Sequence, residues 1–160
     1  MPAEASIDYS IAEDEWVRTA DMRQKENVFP LFDCFYGLVT FQVDGENVLA
    51  DGRFEMSVGD LAVGLAQVLG ELRTGACGVF KFQQSEDMLE ISFEASSESV
   101  TISHNLTPDR RWTCHRGALE KAIVDFVVSF TNEASGRVAD LFGWRDMEIL
   151  RYFSTEHTRA

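Results

Sequence analysis

The sequence predicts an α+β domain, a mostly antiparallel sheet of about five strands with two main amphipathic helices packed on one face. Three observations predict it. Short runs alternate apolar and polar residues with the two-residue period of a strand. Two longer stretches repeat apolar residues with the 3.6-residue period of a helix. The strand runs come in pairs separated by those helices, an order that gives an antiparallel sheet covered by helices. The 160 residues fit one domain of ordinary size. Residues 1–28 read as an acidic N-terminal segment and 29–160 as a single α+β domain.

The N-terminal segment has two readings. Ser10 followed by Glu13 has the spacing of a capping box, which predicts a short helix over 11–24. Ile7, Tyr9 and Ile11 alternate as an edge strand would. Pro30 resets the backbone after either.

Phe35–Val43 is the clearest strand, and Asp44-Gly45 behind it is a type I′ hairpin signal, since both turn residues need positive φ. A two-residue turn pairs Val43 with Glu46, Phe41 with Val48, Val39 with Ala50 and Gly37 with Gly52. Ser57 then caps a helix whose Val58, Leu61, Ala62, Leu65, Val68, Leu69 and Leu72 form one apolar stripe. Thr74-Gly75 ends it.

Three strands follow at 79–84, 88–94 and 99–104. Turns at Ser85-Glu86 and Ser96-Ser97 would pair Phe82 with Leu89 and Phe93 with Val100. Residues 105–114 form a loop through Pro108, with a short strand around Trp112. The second main helix runs over Arg116–Glu133, with Leu119, Ala122, Ile123, Phe126, Val127 and Phe130 on one side. Short helices are expected around Val138–Phe142 and Asp146–Phe153.

Composition narrows the function. Asp and Glu number 27 against 14 Lys and Arg, a net charge of −13. Such a chain repels phosphates and anionic lipid heads, so neither nucleic acid nor a membrane is an expected partner. It attracts cationic proteins and speeds encounter with them. The N-terminus shows no basic n-region followed by an apolar stretch. The three cysteines, Cys34, Cys77 and Cys114, are an odd number without a CxxC pair. A reducing compartment, the cytoplasm, is expected.

The residues that carry chemistry elsewhere are present without the spacing that chemistry needs. His104, His115 and His157 make no HxxxH pair, so no metal or other cofactor is expected. Cys114 and His115 are chain neighbours whose side chains diverge, which is unsuited to a thiol nucleophile and its base. Cys34 and Cys77 flank apolar strands and read as small core residues. The phosphate-loop, dinucleotide, nucleophile-elbow and zinc-protease motifs are all missing, and an enzyme is not expected.

Two charge clusters stand out. Glu86, Asp87, Glu90, Glu94 and Glu98 lie together without a Lys or Arg, and Glu90 and Glu94 share the strand face opposite Leu89, Ile91 and Phe93. This acidic face is the candidate docking surface for a basic partner. Arg110, Arg111 and Arg116, with His115, gather around Trp112 before the second helix. They are a candidate anion site, aided by the free N–H groups of a helix start.

The order of hairpin FYGLVTFQVDGENVLADGRFEMS, helix SVGDLAVGLAQVLGELRTG, strands GVFKFQQSEDMLEISFEASSESVTIS and helix GALEKAIVDFVVSF resembles small acidic bacterial immunity-type proteins, encoded beside polymorphic or contact-dependent toxins. The resemblance covers residues 35–153 in architecture and charge. It implies a cytoplasmic protein that blocks a cognate toxin by direct binding. The expected function is therefore inhibition of a basic toxin or nuclease, with Trp16, Trp112 and Trp144 as aromatic anchors where exposed. The alternatives are a small-molecule or anion-binding module built on the arginines, and a hydrolase built from carboxylates.

Overall fold

The computed structural model describes residues 4–25, 31–49, 54–75, 77–83 and 89–157. They form an α+β fold with four helices and two antiparallel sheets of four strands each. The first sheet contains β1 (Ala5–Ser10), β2 (Tyr36–Val43), β3 (Glu46–Asn47) and β4 (Phe54–Ser57). The second contains β5 (Gly78–Gln83), β6 (Glu90–Ala95), β7 (Ser99–His104) and β8 (Trp112–His115) in that order. The helices are α1 (Glu13–Lys25), α2 (Val58–Arg73), α3 (Arg116–Arg137) and α4 (Glu148–His157). Short 3-10 turns at Leu31–Asp33, Leu141–Gly143 and Arg145–Met147 connect them.

The single sheet of about five strands is thus corrected to two sheets. Each local hairpin signal is satisfied by its immediate partner and says nothing about whether two hairpins share an edge. β8 approaches β2, yet no ladder joins them. Side chains bridge the sheets instead. His104 Nε2 lies 2.7 Å from the carbonyl of Val48, and Arg110 lies 3.2 Å from Glu46. Nor are the two main helices confined to one face of one sheet. α2 packs on α3, α2 touches β2 and β5, and α3 touches β1, β7 and β8.

Both readings of the N-terminus are realised in succession, as strand β1 and then helix α1. β1 pairs with β2, Ile7 opposite Phe41 and Tyr9 opposite Val39. α1 is anchored at the corner before β2. Glu15 accepts the backbone N–H of Tyr36 at 2.9 Å, the Thr19 hydroxyl accepts that of Phe35 at 3.1 Å, and Arg18 donates to the carbonyl of Asp33. These bonds hold Phe35 in the left-handed region (φ 58°) with its ring fully buried against Trp16, Phe130 and Trp144.

The Asp44-Gly45 turn has the positive φ values (53° and 80°) of a type I′ hairpin, and Val43 faces Glu46. Beyond Asn47 the expected register fails. Val39 pairs with Phe54 and Gly37 with Met56, four residues later than a continuous strand would give. Val48 still donates to Phe41, but it spends its carbonyl on His104. Ala50 and Gly52, the expected partners, lie outside the described residues.

In the second sheet the registers are offset by two. Phe82 faces Ile91, and Phe93 faces Ile102, while Ala95 takes Val100. The second turn closes through Ser96 N–H to the carbonyl of Ser99, one residue further along than Ser96-Ser97 implies. An even slip keeps every side chain on its own face, so Phe82, Leu89, Ile91, Phe93, Val100 and Ile102 are buried as expected, whereas Phe80, expected inward beside Phe82, is only half-buried on the edge strand β5. Ser57 caps α2 by accepting from Asp60 N–H at 3.2 Å. One continuous apolar core runs through both sheets and the helices.

Candidate functional site

The outer face of the second sheet is built by strand alternation. With Phe82, Ile91, Phe93, Val100 and Ile102 inward, Val79, Lys81 and Gln83 of β5 point out, as do Glu90, Ser92 and Glu94 of β6. Beside them lie Ser99, Thr101 and Ser103 of β7 and Thr113 of β8. Cross-strand rows run Val79–Glu94–Thr101–Thr113 and Lys81–Ser92–Ser103. The Thr101 and Thr113 hydroxyls lie 3.1 Å apart. The face is rich in hydroxyls, with Val79, Lys81, Gln83, Glu94 and Thr113 exposed.

Of the predicted acidic residues, the structure brings Glu90 and Glu94 onto this face and puts Glu98 in the β6–β7 turn, with Glu94 and Glu98 exposed. Glu86 and Asp87 lie outside the described residues. Lys81 is ion-paired to Glu90 at 3.3 Å. The pair is solvated and contributes little stability. Val79, 56 % exposed, adds an apolar spot beside Glu94.

The predicted arginine cluster does not converge. Arg116 is buried at the start of α3 and donates to the carbonyls of Ser96 at 2.6 Å and Leu72 at 2.5 Å. Arg110 and Arg111 lie beyond the other end of β8. An extended chain places Arg111 and Arg116 roughly 16 Å apart along the backbone. Arg110 lies 5.0 Å over the Trp112 ring and pairs with Glu46. Arg111 is exposed. The His115 ring accepts the N–H of Gly117 as the N-cap of α3.

A cleft of about 510 Å3 lies between the β2–β3 hairpin and the loop before β8, lined by Glu46, Val48, Thr107, Arg110 and Trp112 among others. His104 and Trp112 stack beside it, 7° from parallel. Leu106 N–H donates to His104 Nδ1. That bond assigns the imidazole proton to Nε2, which donates to Val48. The buried indole Nε1 of Trp112 has no partner among the described residues.

The expected aromatic anchors are corrected by burial. Trp16, Trp112 and Trp144 are 3 %, 5 % and 6 % exposed and belong to the core. Core packing took them because their rings complete the clusters around Phe35 and His104. Cys34 is buried as expected; Cys114, for which no burial was expected, is buried too, and burial pushes each thiol up to about 11. Cys77, read as a core residue, is instead exposed ahead of the edge strand β5.

Among the described residues, no group of three or more His, Cys, Asp or Glu side chains is arranged to hold a metal ion. No helix among them is long and apolar enough to cross a membrane. In comparisons with known proteins, no family model matches the chain, and neither a curated protein nor a solved structure matches it significantly.

Proposed function

We propose that this chain is a cytoplasmic immunity-type inhibitor that neutralises a basic toxin or nuclease by direct binding through the outer face of β5–β8. The observation that carries the reading is that outer face: four strands wide, bearing Glu90 and Glu94 with Glu98 at its rim, and its Lys81 already ion-paired. A net charge of −13 adds a long-range field that draws a cationic partner in. Charge sets the rate of encounter, and contacts around Val79 and the Ser and Thr hydroxyls hold the docked state. Inhibition is by occlusion of the partner's own site. With the tryptophans in the core, the aromatic anchors come from the partner.

The test uses the protein encoded directly beside this gene in its native genome. Complex formation and toxin inhibition are measured with the native chain and with Glu94→Lys. The expected result is a complex that weakens as salt rises and weakens further in the variant. A partner that is acidic, or inhibition that Glu94→Lys leaves intact, rejects this face as the docking surface.

A further inference from the structure

The free edge of β1 opens into a groove of about 540 Å3 whose other wall is α3. Its lining includes Ile7, Asp8, Tyr9, Ser10 and Ile11 in unbroken succession. Side chains alternate between the two faces of a strand, so consecutive residues line one groove only if it runs along the strand's edge. Asp125, Phe126, Ser129 and Glu133 of α3 face them.

The hydrogen-bond register says which backbone groups look into that groove. Asp44 N–H donates to the Glu4 carbonyl, and Phe41, opposite Ile7, turns its carbonyl away from β1 to accept from Val48. In an antiparallel ladder the two residues of such a pair both direct their backbone groups outward. Ala5, Ile7 and Tyr9 therefore present N–H and C=O away from β2, and β1 has no second strand partner among the described residues. A further strand can be added there through main-chain bonds.

Charge selects the strand. Among the described residues the lining holds Asp8, Asp125 and Glu133 and no Lys or Arg. The β5 edge of the second sheet carries Lys81 and is lined with Glu71, a mixed pair that selects no sign. Asp125 and Glu133 are eight residues apart on one helix, about 12 Å along its axis. Four residues of extended chain cover about 13 Å. Cationic side chains at positions i and i+4 of an added strand match that spacing. Asp125 is engaged with Lys121 at 2.7 Å, and Glu133 with the Tyr9 hydroxyl at 2.7 Å and with Arg137 at 3.5 Å. The first is an exposed pair that an incoming cation replaces at small cost.

We infer that the β1–α3 groove binds an extended segment of a partner protein by β-strand addition, with Lys or Arg at i and i+4 facing α3. A second copy of this chain is the poorer occupant, because it brings another −13 charge and sets Asp8 close to Asp8. The groove is distinct from the outer face of β5–β8 and shares with the inhibitor reading only the cationic character of the partner.

The probe is a synthetic peptide of about ten residues, alternating Val and Thr with Lys at i and i+4, long enough to span a strand. Binding is followed by fluorescence anisotropy and by amide hydrogen exchange of the full chain. The expected results are binding that falls with salt, slowed exchange at Ile7 and Tyr9, and loss of binding when alternate peptide nitrogens are methylated. Asp8→Lys and Asp125→Lys, both at exposed positions, each weaken binding by about tenfold. Glu94→Lys leaves peptide binding unchanged, so the groove and the sheet face fail or stand separately. Unchanged exchange at Ile7 and Tyr9 with peptide bound, equal binding of an all-Glu counterpart, or a dimer of the chain alone that protects those amides would overturn the assignment.

Discussion

Glu15 on α1 accepts the backbone N–H of Tyr36 at 2.9 Å, and the same carboxylate takes a two-pronged contact from Arg18 at 2.6 and 2.7 Å. It is what fastens the N-terminal helix to the first strand of the hairpin. Burial alone would raise the pKa of this carboxyl. The hydrogen bonds from Arg18, Tyr36 and Thr19, with the guanidinium charge, outweigh it and hold the group below the usual carboxylate range.

A stability prediction follows with a definite sign. A carboxyl whose folded pKa is depressed contributes stability that is full above its unfolded pKa, about 4.3. The contribution is lost as pH falls through the lower folded value. Glu15→Gln is expected to cost about 1–2 kcal/mol near neutral pH, the scale of a charge-assisted hydrogen bond. The gap to the native chain should close in acid. Urea unfolding of both proteins at a series of pH values checks this, and a pH-independent gap would show that the carboxylate charge is not what holds the corner.

That corner also marks where sequence reading stops. The helix and the strand through Ile7 and Tyr9 are legible because both signals are local, although Ser10 ends β1 and the carbonyl of Ala12 accepts the first helical N–H groups. The long-range partner Tyr36 leaves no local trace in the sequence. The same division holds elsewhere. Phe82 and Phe93 were assignable to the inner face because parity survives a two-residue slip. Their partners were not, since turns without Gly do not fix loop length. Arg116 read as one of a surface cluster because it lies near Arg110 and Arg111 in sequence, yet the short strand around Trp112 separates it from them by the length of β8. The β1–α3 groove was invisible for a related reason. Asp8 and Asp125 meet only through the packing of an edge strand on a helix more than a hundred residues away.

The thiols provide a direct check on the core. Cys34 and Cys114 are 0 % and 2 % exposed, and burial pushes both to about 11, whereas Cys77 is exposed. The reactive species is the thiolate, which the two buried groups do not populate near neutral pH. A disulfide reagent added to the native chain should modify one thiol quickly and the other two only at the rate of unfolding. Mass spectrometry of the labelled peptide should find Cys77. Rapid modification of a second thiol would place Cys34 or Cys114 outside the core.

Two glycines of α2 should respond oppositely to the same substitution. A β-carbon on Gly70 meets nothing within 4 Å, so Gly70→Ala gains only helix propensity and should stabilise by about 0.5–1 kcal/mol. A β-carbon on Gly64 would overlap the ring of Phe82, which is buried and has little freedom to withdraw. Overpacking of this kind costs about 1–3 kcal/mol, so it offsets the propensity gain and Gly64→Ala should be net destabilising. Thermal unfolding of the two variants side by side checks the packing of α2 on β5. Equal stabilisation by both would mean that Phe82 does not pack where α2 and β5 meet.

Arg116 offers the sharpest separation between a binding role and a structural one. Its guanidinium spans two carbonyls, that of Leu72 near the C-terminus of α2 and that of Ser96 at the β6–β7 turn. A cation at a helix C-terminus is favoured by the dipole and by the carbonyls left unpaired there. Lysine has a single ammonium and cannot reproduce a planar fork between two fixed acceptors. Arg116→Lys should therefore cost about 1 kcal/mol, and Arg116→Ala about 1.5–3 kcal/mol for the lost charge-assisted hydrogen bonds, since the Leu72 carbonyl keeps the N–H of Gly75 and Ser96 is exposed. Arg111→Ala, at an exposed position, should change stability by less than about 0.5 kcal/mol. Denaturant midpoints for the three variants decide it. If Arg116→Ala instead left stability untouched while removing affinity for inorganic phosphate, the arginine would belong to an anion site and not to the joint between α2 and the second sheet.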